Sequence, residues 1–592
     1  MTGVVYGEET APRYEYDYNA QGKVARVRDN LLNRTTQSEY DLANRPVRVK
    51  TAEAGQHVYT GQVAYDNVYG NLSEFTEKVG ENRQEFGTKF GYDDENRPTS
   101  LTYSMGATTI GQSTTTIDKL NRTTFSAVKL GSKTFTSEYH FAAGGYGTGS
   151  VTNLVASITQ PGCNCGYGYD DNGNIASATL NGKWTGYTYD ALGQLIQVND
   201  RSDTRSGENG TTWKYTYDLG GNILKKERFV YNDTTNPLET VTYTYGDANW
   251  RDKLTAVNGS TIRYDAIGNP LNDGTWTYTW QNGRQLQKMQ KSGVTAEFVY
   301  NADGLRVQKT VNGVATKYTL HGKNVVHMTH GTDELHFFYD AQNRPAVVVY
   351  NGVPYAYVKS LQGDVIAILD AAGNVVVSYV YDAWGAPIGK SGSMAETLGT
   401  LNPFRYRGYV FDEETGLYYL RNRYYLPSFC RMLNSDLLFE SNLYTYCKNS
   451  PIRRVDASGC KDYATIGPGE DLFDLVHNQE FILGYVSDYL AEQQRIINAN
   501  IRYNWKGQSD KAGYSCATFI SKPLQKISQN KTNKGKFIRS YTGIGSVLKN
   551  SGNHLLFIAR LSDYSLDEIP VGASFLRTAG YNGAEHGHGA TF

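Results

Sequence analysis

Cysteine is scarce in this chain. Its six residues in 592 are too few for a disulfide framework, and Cys163-Asn-Cys165 lacks the second pair that a zinc site would need. No metal and no other cofactor is expected. Neither sign of charge dominates either: 58 Lys and Arg against 59 Asp and Glu leave a net charge of -1, so there is no basic field of the kind that attracts nucleic acid, and nucleic acid is not an expected partner. No apolar run approaches the roughly 18 residues that cross a bilayer, and the N-terminal "MTGVVYGEETAPRYEYD" has no basic stretch followed by an apolar one. The chain is therefore expected to be the C-terminal part of a longer polypeptide, rather than one exported without a cleaved signal. Proline is sparse as well, at 15 residues, and long Leu/Ala/Glu/Lys runs are few.

What the chain has instead is tyrosine, 47 residues, and glycine, 61. Both at that density favour strands joined by tight turns. One phrase, Tyr-Asp, followed in half of its copies by Gly three residues on, accounts for much of it. It recurs at Tyr16-Asp17, Tyr40-Asp41, Tyr65-Asp66, Tyr92-Asp93, Tyr169-Asp170, Tyr189-Asp190, Tyr217-Asp218, Tyr264-Asp265, Tyr339-Asp340 and Tyr381-Asp382, with degraded copies in the wider gaps. Many copies lie about 20 to 28 residues apart, the spacing of a supersecondary unit stacked on its neighbours.

Residues 167–198 show how one unit works. Alternation places Tyr187 and Tyr189 on one face of a strand. Asp190 can accept from backbone N–H groups and open a turn, Gly193 supplies the positive φ that closes it, and "QLIQV" returns as the partner strand. A lone hairpin is marginal, so the units must pair edge to edge. Mean hydropathy of -0.52 and 39% hydrophobic residues argue against a thick Leu/Ile/Val core. Tyr-rich faces suit a curved, hollow sheet, because the ring packs while the hydroxyl stays hydrated.

These repeats resemble the YD repeats of the Rhs family, found also in toxin-complex C subunits and teneurins. Residues 402–459, through "PFRYRGYVFDEETGLYYLRNRYY" above all, resemble the Rhs-associated core. The resemblance implies a mainly β fold in which YD hairpins form a long spiralling hollow shell over residues 1–400. Residues 401–459 would be a core that plugs one end, and residues 460–592 a variable α+β toxin domain held inside as cargo. It also implies a polymorphic toxin of interbacterial competition, secreted or on the bacterial cell surface, with a cognate immunity protein.

Rhs proteins free their toxin by self-cleavage just after the core, with two aspartates in a D-P-x-G … N-x-Y-x-Y … N-x-P … D-P-x-G-L pattern. Here "SDLLFESNLYTYCKNSPIRRVDASGC" aligns the two acids with Asp436 and Asp456, through Asn442, Tyr444, Asn449 and Pro451, with Arg431 as a residue that could tune the pair. Two carboxylates sharing a site can divide into general acid and general base. The cut is expected at Gly459 or Cys460. Proline is missing after both aspartates, and cysteine stands where the family has leucine.

Beyond residue 459 the YD phrase stops. In "KAGYSCATFISKPL" Cys516 opens an apolar stretch that reads as a helix, where the macrodipole favours a thiolate. His586 and His588 follow near the end, and the order resembles the NlpC and CHAP Cys-His peptidases and amidases that cut peptidoglycan, with His588 the better base. A peptidase or amidase acting on peptidoglycan or protein is one expectation. Two others stand beside it: a nuclease effector, and a non-enzymatic cell-surface protein that binds carbohydrate or partner cells through its tyrosines.

Overall fold

The computed structural model describes residues 3–464, apart from 7–8, 81, 83, 145–150, 437–441 and 461, together with two short strands near the C-terminus. The chain divides into two compact units, one made of Met1–Asp118 with Arg122–Pro468 and the other of Lys119–Asn121 with Gly469–Phe592. The division falls at Pro468, a few residues past the expected cut.

The first unit is built of antiparallel strands, each paired with its neighbour in sequence. Two large sheets result, of 22 and 14 strands, rather than one. The first ends with the strand Ser260–Thr261 and the second begins with Arg263–Tyr264. Ile262 between them is buried, with its N–H donated to the Thr255 carbonyl at 2.8 Å, so the ladder is interrupted where this side chain enters the core.

The repeat turn forms as its residues dictate. Between the strands Lys183–Tyr189 and Leu195–Asp200, Asp190 Oδ1 accepts from the N–H groups of Leu192 and Gln194, both at 2.9 Å, and Gly193 takes φ 76°. Position three after the aspartate is Asn in several copies, with Asn44, Asn96, Asn121 and Asn343 all at positive φ. Asn tolerates this conformation better than other residues with a Cβ. Position four adds a contact that the YD phrase does not contain: Arg45, Arg97, Asn174, Gln194 and Asn269 all return a side-chain donor to Oδ2 of their own turn aspartate.

The repeat tyrosine has a second role. Tyr169, Tyr189, Tyr300 and Tyr339 each donate the hydroxyl to a backbone carbonyl fourteen residues upstream, those of Val155, Ile175, Leu286 and Val325, at 2.7 to 2.8 Å. Each hairpin is thereby tied to the one before it.

The two sheets meet through aromatic residues. Tyr103 and Phe338 lie 4.9 Å apart between ring centroids, and Phe86 lies flat on His336 at 3.5 Å. Tyr59 joins Glu77 and His321 through its hydroxyl, each at 3.0 Å.

In a meander, alternate turns share an edge, so the turns at Asp41, Asp66, Asp93, Asp170, Asp190 and Asp218 lie along one rim of the first sheet. The core segment docks on that rim. Arg453 donates to Asn174, Asn449 to Gln194 and the Gly221 carbonyl, and Asn442 to Asn222 and the Gly220 carbonyl, at 2.7 to 3.1 Å. Tyr444 donates to the carbonyl of Gly268, in the first turn of the second sheet, at 2.9 Å. The motif residues Asn442, Tyr444 and Asn449 are therefore readers of YD turns. The core has its own four-stranded sheet and an aromatic centre in which Tyr425 stacks on Tyr446 at 3.9 Å.

Candidate active site

Docking of the core brings together the two aspartates, which are twenty residues apart in sequence. Asp436 lies just before the rim-reading stretch, with its N–H on the Leu443 carbonyl at 2.9 Å, and Asp456 follows it, with its N–H on the Tyr409 hydroxyl at 2.7 Å. Both are buried, and so is the residue between them, Arg423. Its Nη2 stands 2.7 Å from Asp436 Oδ2 and 3.4 Å from Asp456 Oδ2. One guanidinium thus faces two carboxylates, an arrangement that supports acid and base work within one pair.

Arg431 is placed elsewhere. Its guanidinium donates to the Tyr245 hydroxyl at 2.5 Å and the Asp252 carbonyl at 2.7 Å, tying the core to the first sheet. The arginine at the carboxylates is Arg423, inside the "YYLRNRYYL" that marks the core. Sequence spacing could not select it among the seven arginines from residue 405 to residue 454.

The expected scissile peptide is held in the same place. Gly459 donates its N–H to Asp456 Oδ1 at 2.8 Å, and its carbonyl oxygen accepts from Arg423 Nε. Gly459 has φ 76°, and a Cβ there would stand 2.7 Å from the Leu420 carbonyl and 2.9 Å from the Arg423 nitrogen, so only glycine lies this close to the bend of residues 420–423. Ser458 is fixed from behind by Asn422, whose amide donates to its carbonyl at 2.9 Å. Cys460 donates its N–H to Ser458 Oγ at 3.2 Å, and Ser458 Oγ donates to Asp456 Oδ1 at 3.3 Å. Burial first, and the Asp436 charge second, push the Cys460 thiol up to about 11. A guanidinium on a carbonyl oxygen polarises that carbonyl toward attack.

Cys516, His586 and His588 lie outside the described residues. Nearby, the strands Ser574–Leu576 and Gly589–Thr591 pair antiparallel, with Leu576 opposite Gly589. Among the described residues no helix is long and apolar enough to cross a membrane.

Comparison with known proteins agrees with the repeat. The teneurin YD-shell family model matches residues 181–454. The tRNA3(Ser)-specific nuclease WapA of Bacillus spizizenii is 35% identical over 300 residues, which cover 48% of this chain and 12% of the relative. The toxin protein Tse5 of Pseudomonas aeruginosa is 25% identical over 359 residues, covering 46% of this chain and 27% of the relative. Among solved structures, a crystal structure titled TcdB2-TccC3-Cdc42 is similar at 16% identity and a TM-score of 0.49, over 76% of this chain and 28% of that one. The chain thus spans only a small part of the length of these relatives. Its repeats build a YD-repeat shell similar to that of the teneurins, matched over residues 181–454.

Proposed function

We propose that this shell carries residues 460–592 as a toxin used against other bacteria, secreted or displayed at the cell surface, and frees it by an internal aspartyl cleavage. One observation carries the reading: the peptide after Gly459 has its carbonyl on Arg423 and its N–H neighbours on Asp456, beside Asp436. A water attacking that carbonyl would pass its proton to one carboxylate while the other protonates the leaving nitrogen, and Arg423 would hold the developing oxyanion. The names of the relatives, a tRNA nuclease and a toxin protein, support a toxin as cargo, and a toxin requires an immunity protein in the cell that makes it.

Two chemistries suit the cargo. The sequence favours a Cys-His hydrolase with Cys516 as nucleophile and His588 as base, whereas the relatives' names favour attack on nucleic acid, since another is a double-stranded DNA deaminase toxin of Burkholderia cenocepacia.

The test is to purify the full chain and follow it on a denaturing gel with N-terminal sequencing. The expected result is a split that yields a fragment beginning at Cys460, and an intact chain for Asp456→Asn. A wild-type chain that stays whole, or an Asp456→Asn chain that splits equally, overturns the cleavage reading. Growth arrest by the full chain that vanishes with Cys516→Ala favours the hydrolase; arrest that persists with degraded tRNA or DNA favours the nucleic-acid reading.

A further inference from the structure

The bond that this centre addresses is followed by a cysteine, whose backbone N–H is already engaged with the machinery. Two contacts converge on the peptide, and a carboxylate acts on the thiol beside it. Arg423 Nε is on the Gly459 carbonyl oxygen. The Asp436 carboxylate is near enough for its charge to push the Cys460 thiol up. The Cys460 N–H is on Ser458 Oγ, which in turn is on Asp456. The attacked carbonyl and the leaving nitrogen each have a polar partner suited to a step, and the Asp436 charge bears on the thiol. We infer that Cys460 is a catalytic residue of the cut, attacking the Gly459 carbonyl in an N-to-S acyl shift that precedes hydrolysis. The inference rests on the cleavage reading above.

Proximity here is covalent in origin. Sulfur reaches the carbonyl of its own preceding peptide through a five-membered ring, so no separate binding step is needed. The thiol proton passes to Asp436 as sulfur bonds to the Gly459 carbon, and Arg423 holds the oxyanion. The carbon–nitrogen bond then breaks, with the leaving Cys460 nitrogen taking a proton from the Asp456 carboxyl by way of Ser458. Water adds to the thioester and gives its proton to Asp456, and the departing sulfur recovers the proton held by Asp436. The products are a Gly459 carboxylate and an N-terminal Cys460; nothing is oxidised or reduced.

The route leaves a signature that direct attack by water does not. A thioester is intercepted by hydroxylamine, whereas an aspartyl hydrolysis passes through no acyl-enzyme. The experiment uses the full chain, incubated with and without hydroxylamine and examined by mass spectrometry, beside Cys460→Ala and Cys460→Ser. The expected result is faster splitting with hydroxylamine and a shell fragment ending in Gly459 hydroxamate. Cleavage should fall at least about tenfold in Cys460→Ala, with slow residual cutting in Cys460→Ser through the weaker oxygen nucleophile. Equal cleavage by wild type and Cys460→Ala, or no hydroxamate from a wild type that cuts, overturns the role of Cys460 and leaves the aspartyl reading standing. A wild type that never splits sinks both. The hydroxamate readout uses the unmutated protein, so misfolding of a variant cannot mimic either result.

Discussion

The hydroxyl of Tyr189 donates to the carbonyl of Ile175 at 2.8 Å, so the tyrosine of one repeat closes on the strand of the repeat before it. Phenylalanine would keep the ring and lose the bond. Tyr189→Phe should lower stability by about 1 kcal/mol, read as a small fall in melting temperature. An equal fall for an exposed tyrosine such as Tyr69, which makes no such bond among the described contacts, would show that the staple has no special worth.

The turn aspartate works through its acceptors. Asp190→Ala removes the partner of two backbone N–H groups and of the Gln194 amide, and should cost roughly 1 to 2 kcal/mol. Hydrogen exchange should quicken first at the amides of Leu192 and Gln194. Unchanged exchange there would mean that the glycine alone shapes the turn. In Asp66, whose carboxylate accepts four backbone N–H groups led by that of Tyr69, these bonds hold the carboxyl below its ordinary range.

Acid should loosen the seam where the two sheets meet. His327 and His336, buried there, are pushed down to about 3 by desolvation, from an ordinary value of 6.5, so the unfolded chain binds protons that the folded chain refuses as pH falls from 6.5 toward 3. Glu77, 3.5 Å from His336, is pushed up by burial to about 7 from 4.5, and it opposes this between those values by binding its proton in the fold. Two histidines outweigh one glutamate, so stability falls below pH 6.5 and falls more steeply below 4.5. His336→Phe keeps a ring on Phe86 and removes one titration. Its melting temperature should drop less than that of the wild type between pH 7 and pH 4, and parallel curves would rule out this seam as the source.

Arg423 holds two carboxylates and the Gly459 carbonyl oxygen at once. Arg423→Lys keeps a charge but cannot span all three, since an ammonium is a single point and the guanidinium a planar fork. Cleavage should slow by at least about a hundredfold, while Arg431→Lys, at a position that ties the core to Tyr245 and Asp252, should cut at a rate near that of the wild type. Equal loss in both would argue that the two arginines act only through folding.

The repeat was legible because its physics is local. Strand alternation, the aspartate acceptor and the positive-φ residue all fall within a few neighbours, so the hairpin followed from composition and spacing. The staples were only half legible: the tyrosine was visible, but its carbonyl partner lies a repeat away. The break at Ile262 was not visible at all, because whether a side chain turns into a core depends on what the other sheet presents.

The same division holds at the candidate site. The chain by itself determined that Asp436, Asp456 and Gly459 form one linear pattern with Asn442, Tyr444 and Asn449, and that cysteine follows the glycine. Only the tertiary structure decided that Arg423 rather than Arg431 stands between the acids. The asparagines grip turns some 220 to 255 residues away, and it is this long-range docking that sets which arginine comes to rest in the gap. A guanidinium's place is a matter of what the fold closes around it, and no spacing within the motif contains that information.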